Sequence, residues 1–218
     1  MINQTSNGGN TLQKIHTVIF DLDGTLADSA ILTTAAFKEI MPKFDLPVLD
    51  TETIKTAMGH ANPVFYYRLF PDYPQETVFL AGQQVEALEL KFLPTVKDKI
   101  LFPDCYELLN QLKKRGIKMY IASTGDTDHV YGILNTSDIT HFFEKISCHQ
   151  PDKTEMLREM TAEGDKEGYV MVGDMSKDYD AARANNITSI GALYGYCREE
   201  DLGFDMYIKS PLELLELV

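Results

Sequence analysis

The chain has 218 residues, 44% of them apolar, and a formal net charge of -13. That length suits one domain, or one domain carrying a smaller insertion, with enough chain to bury a sizeable core. So acidic a chain is a poor partner for nucleic acid or an anionic membrane, and no run of about 18 apolar residues is present to span a bilayer.

Residues 1–14, "MINQTSNGGNTLQK", are polar and lack the apolar core of a signal peptide, so a disordered tail is expected there. Cys105, Cys148 and Cys197 are far apart, with no metal-type spacing and no disulfide framework. Each is expected to be a small buried or half-buried side chain, and the cytoplasm is the expected compartment.

The first strand signal is "TVIF" (17–20), which runs directly into "DLDGT" (21–25). Two aspartates one residue apart, followed by Gly-Thr, are an odd way to end a buried apolar run. From 29 to 98 no strand is convincing, but "TTAAFKEIMPKF", "DTETIKTAMG" and "QETVFLAGQQVEALELKFL" read as helical pieces. Beyond them, strand-like "KMYIA" (118–122), "YVMV" (169–172), "SIGAL" (189–193) and "DMYI" (205–208) alternate with helical patterns at 104–116, 153–164, 177–186 and 211–218. This alternation predicts an α/β fold with a parallel sheet covered by helices on both faces. Residues 15–28 and 99–218 are expected to form that core, and 29–98 an all-α cap inserted after the first strand, with hinges near Ala27–Ser29 and Pro94–Pro103.

In an open sheet of this kind, ligands sit at the carboxyl ends of the strands. Those ends offer Asp21 and Asp23, Ser123 and Thr124, and Asp174 with Asp178 after it; Lys153 opens a helix between the last two. Carboxylates brought together repel one another and call for a cation, and oxygen ligands without clustered His or Cys favour Mg2+ over Zn2+. Neither "DLDGTLADS" nor "DMSKDYD" has the oxygen ladder of an EF-hand. The metal and Lys153 would supply the positive charge an anion such as phosphate needs in this acidic chain. Ser123 and the backbone N–H of Thr124 could hold its oxygens. Asp152 and Glu155 can form a capping-box-like start that places Lys153 at the first helical position, where a cation opposes the macrodipole. Helix stability does not explain Lys153, whereas a phosphate site does.

"DLDGT", the strand ending in Ser123, Lys153 at a helix start and "GDMSKD" resemble, in order, the motifs of the haloacid dehalogenase superfamily of phosphohydrolases. The resemblance covers nearly the whole chain, and "GDMSKDYDAARANNITSIGALYGY" is similar to the phosphoglycolate-phosphatase-like branch. It implies a Rossmann-like fold with a helical cap and a Mg2+-dependent phosphatase acting on a small phosphorylated metabolite, as a monomer or homodimer. By the resemblance Asp21 is the nucleophile and Asp23 the acid and base. Asp21, the backbone carbonyl of Asp23 and Asp174 hold Mg2+, with Asp178 acting through water, and Lys153 neutralises charge. Gly24 permits the tight turn, and Thr25 orients an aspartate. "CHQPDKTEM" lacks the Lys-Pro-x-Pro pattern common in the branch, so Lys153 is assigned by position. Gly59-His60 stands where related caps place a substrate-facing loop, with Arg68 a further candidate.

The resemblance leaves a phosphosugar mutase of the beta-phosphoglucomutase type as the alternative. Such mutases carry a cap histidine that aligns with Thr33, and this chain lacks it. A dehalogenase has no use for Asp23, and phosphonate hydrolysis requires a cap lysine that has no clear counterpart. A non-catalytic phosphate-binding module is the remaining alternative, set against every catalytic position being filled.

Overall fold

The computed structural model describes residues 15–97, 99–196 and 203–218. The expected tail at 1–14 and Cys197 lie outside the described residues. Among the described residues, β1 (Thr17–Phe20), β2 (Lys118–Ala122), β3 (Lys145–Ser147), β4 (Tyr169–Gly173), β5 (Thr188–Ala192) and β6 (Met206–Ile208) form one parallel sheet in the order β3-β2-β1-β4-β5-β6. Every residue of β1 and of β4 is buried, as continuous apolar strands require when both sheet faces are covered.

Between β1 and β2 the chain is helical: α1 (Ala30–Ile40), α2 (Thr51–Lys55), α3 (Val64–Leu69) and α4 (Gln75–Phe92). This insertion packs about its own apolar cluster, in which Phe37 lies against Tyr66 and Phe70. Met175 and Tyr196 from the sheet side join that cluster. The two passages between sheet and insertion run side by side. Asp28 N–H donates to Ile100 O (2.7 Å), and Phe102 N–H donates to Leu26 O (3.0 Å).

Helices α5 (Cys105–Lys114), α6 (Thr127–Thr136), α7 (Lys153–Met160) and α8 (Ser176–Asn185) cover the sheet. The strand period of two sorts β1 between the layers. Val18 and Phe20 join the cluster holding Leu108, Leu109 and Ile133, while Ile19 joins the one holding Met156, Leu157 and Ala181. The α/β class, the parallel sheet with both faces covered and the helical insertion thus match expectation.

Three local elements differ from the sequence reading. β3 was not expected, because it is a three-residue edge strand, exposed at Lys145 and part-buried at Ile146 and Ser147, with little apolar signal. α6 was not expected either, since Gly132 interrupts its pattern. The helix expected at 211–218 is instead a 3-10 helix, Pro211–Glu216, whose end is tied down by Arg115 Nη1 donating to Leu215 O (2.6 Å) and Val218 O (2.9 Å). Among the described residues, no helix is long and apolar enough to cross a membrane.

Candidate active site

Parallel register brings the candidate residues to one edge. Phe20 lies opposite both Ile121 of β2 and Val172 of β4, so Asp21, Ser123 and Asp174, one or two residues further on, emerge together at the carboxyl ends. β1 and β4 flank the point where strand order reverses, the crevice in which open α/β sheets bind ligands.

Four buried charged side chains meet there: Asp21, Lys153, Asp174 and Asp178. Lys153 Nζ lies 2.7 Å from Asp21 Oδ1 and 2.6 Å from Asp178 Oδ1. Asp178 Oδ2 accepts from the backbone N–H of Asp174 (3.1 Å) and of Met175 (2.9 Å), which closes the N-terminus of α8. Asp174 accepts from Thr25 Oγ1 (3.2 Å) and from the N–H of Tyr196 (2.9 Å). Asp152 caps α7 by accepting from Thr154 N–H (2.8 Å), which sets Lys153 as its first residue. Glu155 does not complete the anticipated box: its carboxylate takes Arg158 Nη1 at 2.7 Å.

One ligand oxygen from each of Asp21, Asp174 and Asp178 lies within 4.8 Å of the others. Burial pushes Asp21 up to about 7 against the pull of Lys153, and it drives Asp174 well above the usual carboxylate range, with Asp21 and Asp178 adding repulsion. Three buried carboxylates around one ammonium leave negative charge uncompensated. An all-oxygen donor set in that condition fits a hard divalent cation.

The turn after β1 separates the two aspartates. Gly24 has φ +83°, and a Cβ there would run into the Asp174 carboxylate and the Tyr196 ring, so only glycine serves. Asp23 turns away from the carboxylate cluster toward α6, where His129 Nε2 lies 2.8 Å from its Oδ1. Burial pushes the Asp23 carboxyl up, but the charge and hydrogen bond of His129 outweigh it and hold Asp23 below its ordinary value. Burial pulls His129 down, yet Asp23 foremost, with Glu89 and Asp126, raises it to about 9.

Ser123 is buried, and its Oγ accepts from Gly125 N–H (3.1 Å). The Thr124 hydroxyl donates to Gly59 O (3.1 Å), and Lys177 Nζ donates to the same carbonyl (3.1 Å). Gly59 therefore joins the insertion to the sheet edge. Lys177 is a second cation there: burial lowers its pKa, and the nearby Lys153 adds to the effect. His60 is half-buried with Nδ1 3.0 Å from Ala57 O, and burial, reinforced by Lys177, keeps its pKa low. Arg68 is exposed on α3.

Between insertion and sheet edge lies a cavity of about 560 Å3 lined by, among others, Asp23, His60, Glu86, Glu89, Asp126 and His129. Among the described residues, no Lys or Arg lines it. Asn62 Nδ2 donates to Glu86 Oε1 (2.8 Å) and reaches Asp126 Oδ2 (3.4 Å), a bridge between insertion and core. His129, Glu89, Tyr196 and Lys177 were not singled out in the sequence, where no motif spacing connects them to the aspartates. Lys177 alone had a visible cue, a place inside "GDMSKD".

Residues 18–192 match the family model described as haloacid dehalogenase-like hydrolase. A phosphoglycolate phosphatase of Caulobacter vibrioides is 28% identical over 212 residues, covering 91% of this chain and 88% of the relative. Among solved structures, a haloacid dehalogenase-like family hydrolase from Streptococcus pneumoniae superposes with TM-score 0.80 at 26% identity, over 93% of this chain and 97% of that one. A protein from Haemophilus somnus described as a predicted phosphoglycolate phosphatase has the same fold, with TM-score 0.83 at 20% identity over 94% and 99%.

Proposed function

Because the chain belongs to the haloacid dehalogenase-like hydrolases, we propose that it is a Mg2+-dependent phosphatase that hydrolyses a small phosphomonoester through an aspartyl-phosphate on Asp21. The observation that carries this reading is the division between its two strand-end aspartates. Asp21 sits on Lys153 within the carboxylate cluster, whereas Asp23, two residues on, belongs to the cavity under the helical insertion.

In the first half-reaction an Asp21 oxygen attacks phosphorus, the bond from phosphorus to the ester oxygen breaks, and that oxygen takes a proton from Asp23, which draws it through its hydrogen bond with His129. In the second, Asp23 removes a proton from water as the water oxygen attacks phosphorus, and the bond to Asp21 breaks to release phosphate. Lys153 neutralises Asp21 and the phosphoryl oxygens. Bound at Asp21, Asp174 and the backbone carbonyl of Asp23, Mg2+ would supply Lewis-acid stabilisation of the phosphoryl charge. Asp178 spends both oxygens on Lys153 and backbone N–H groups, so it holds the arrangement in place.

The helical insertion acts as a cap over the organic group, which lies in the cavity beside Asp23. With Glu86 and Asp126 facing that space and, among the described residues, no Lys or Arg lining it, the cavity suits a hydroxyl- or amine-bearing group better than a second carboxylate. Thr33 lines the same cavity with only a hydroxyl, which favours hydrolysis over the mutase alternative.

Phosphate release from a panel of phosphomonoesters with Mg2+ tests the reading. Hydroxylated or amino esters should be turned over at least tenfold faster than phosphoglycolate of similar size. Isomerisation without phosphate release would point to the mutase instead, and inertness toward the whole panel would remove the enzyme reading.

A further inference from the structure

Resting on the phosphatase reading, we propose that His129 is a positioning residue for the acid/base Asp23, and that Glu89 of the insertion holds His129 in place. The acid/base would then be set in its working orientation from the cap side.

Three separate observations lead here. The first is the bond itself: His129 Nε2 lies 2.8 Å from Asp23 Oδ1, across 106 positions in sequence, and so holds one carboxyl oxygen from the α6 side. The second is a buried carboxylate that the proposed chemistry does not use. Glu89 on α4 is only 7% exposed. Burying a carboxylate is costly unless it is paired. Its oxygen Oε2 lies 3.9 Å from His129 Nδ1. One imidazole thus faces a carboxylate of the sheet edge through Nε2 and a carboxylate of the insertion through Nδ1.

The third observation is the packing that holds this arrangement. His129 and Gly132 are three apart and share one face of α6. A Cβ at Gly132 would come within 2.7 Å of Leu93 Cδ1 and 3.4 Å of Leu90 Cδ2, so α6 approaches the end of α4 as closely as a glycine allows. That approach brings Glu89, one residue before Leu90, up to the histidine. If the insertion moves away, His129 loses the partner at Nδ1 while α6 stays with the sheet.

The experiment compares kcat/KM for an alkyl phosphomonoester and for p-nitrophenyl phosphate in the wild type, H129A, H129Q and E89Q. It then adds H129A to a D23N background, with thermal unfolding run on each protein. Because kcat/KM reports the step that expels the leaving group, only the alkyl ester, a poor leaving group, depends strongly on the acid. H129A should lose roughly 50-fold on the alkyl ester and less than about threefold on the aryl ester. H129Q, whose amide can still donate to Asp23, should recover part of the loss, and E89Q should show a smaller loss of the same asymmetric kind. In D23N, H129A should add less than about twofold, since residues acting as a unit are not additive. Equal losses on both esters, or full additivity with D23N, would overturn the positioning role while leaving the phosphatase reading intact. A wild type that releases phosphate from neither ester would overturn both.

Discussion

Lys153 and Asp21 form a buried pair, with Nζ and Oδ1 2.7 Å apart and both side chains no more than 3% exposed. The pair links the start of α7 to the end of β1, and Asp178 at the start of α8 shares the same ammonium. Removing the cation strands buried carboxylates, which costs more than the pair itself contributes. K153A should lower stability by about 3 kcal/mol in metal-free buffer. Denaturant titration checks it, and an unchanged midpoint would mean that the carboxylates have simply taken up protons. Turnover should fall at least about a thousandfold, because Lys153 faces both nucleophile and phosphoryl group.

Asp21→Asn makes the opposite change, removing one negative charge from the crowded cluster. The fold should survive, and metal-free protein at neutral pH should be no less stable than wild type, because burial already pushes the Asp21 carboxyl up to about 7. Phosphate release should vanish, since an amide cannot take the phosphoryl group. Fluoroberyllate with Mg2+ should inhibit the wild type and bind D21N poorly. Activity of D21N within tenfold of wild type would exclude the covalent route.

Asp23 and Asp174 should fail in different ways. Asp174 accepts from Thr25 and from the Tyr196 N–H within the carboxylate cluster, whereas Asp23 turns toward His129. D174N should raise the Mg2+ concentration needed for half-maximal activity about tenfold or more, with excess metal restoring much of the rate. D23N should lose rate that no Mg2+ concentration restores. Rescue of both variants by metal would assign Asp23 to ion binding through its side chain.

How far these roles could be read beforehand depended on local signal. β1 and β4 were legible because each is a continuous apolar run leading to an aspartate, and Asp21 and Asp174 follow from their ends, whereas Lys153 follows from the helix start at Asp152. α6 was not legible. Gly132 weakens its helical pattern, yet the same glycine admits Leu90 and Leu93 to close contact, so tertiary packing overrides local preference. With that helix unread, His129 was unread too. In the sequence Glu89 is one acid among several in a long helical pattern, and only the docking of α4 on α6 shows that it is buried. Site chemistry carried by strand ends was visible, whereas chemistry assembled from two helix faces was not.

Of the three insertion residues proposed from the sequence, Gly59 bonds to the sheet edge through its carbonyl, and the other two now separate. His60 lines the cavity, while Arg68 is exposed on α3. H60A should raise KM for the best phosphomonoester about threefold to tenfold and leave p-nitrophenyl phosphate nearly unaffected. R68A should stay within about twofold on both. Equal losses for H60A on the two substrates would make His60 a support for the insertion's fold.

Glu86 gives a pH dependence of stability. Burial first, then Asp126 and Glu89, pushes its carboxyl from its ordinary 4.5 to about 7. The folded state therefore keeps the proton between about pH 4.5 and 7 while the unfolded chain releases it. With more protons bound to the folded form, stability falls as pH rises through that window and is flat above it. Because Glu86 is only partly buried, solvent screening cuts its share to about 1 kcal/mol. Glu86→Gln removes the ionisation but keeps an oxygen to accept from Asn62. The variant should match wild type near pH 4.5 and exceed it by about 1 kcal/mol at pH 8, or roughly 2–4 °C in Tm for a chain of this size. Thermal scans of both proteins across pH 4.5–8 decide it. Parallel curves would mean that Glu86 ionises freely in the folded protein, and at neutral pH it would then carry a full negative charge on the cavity wall beside Asp126 and Glu89.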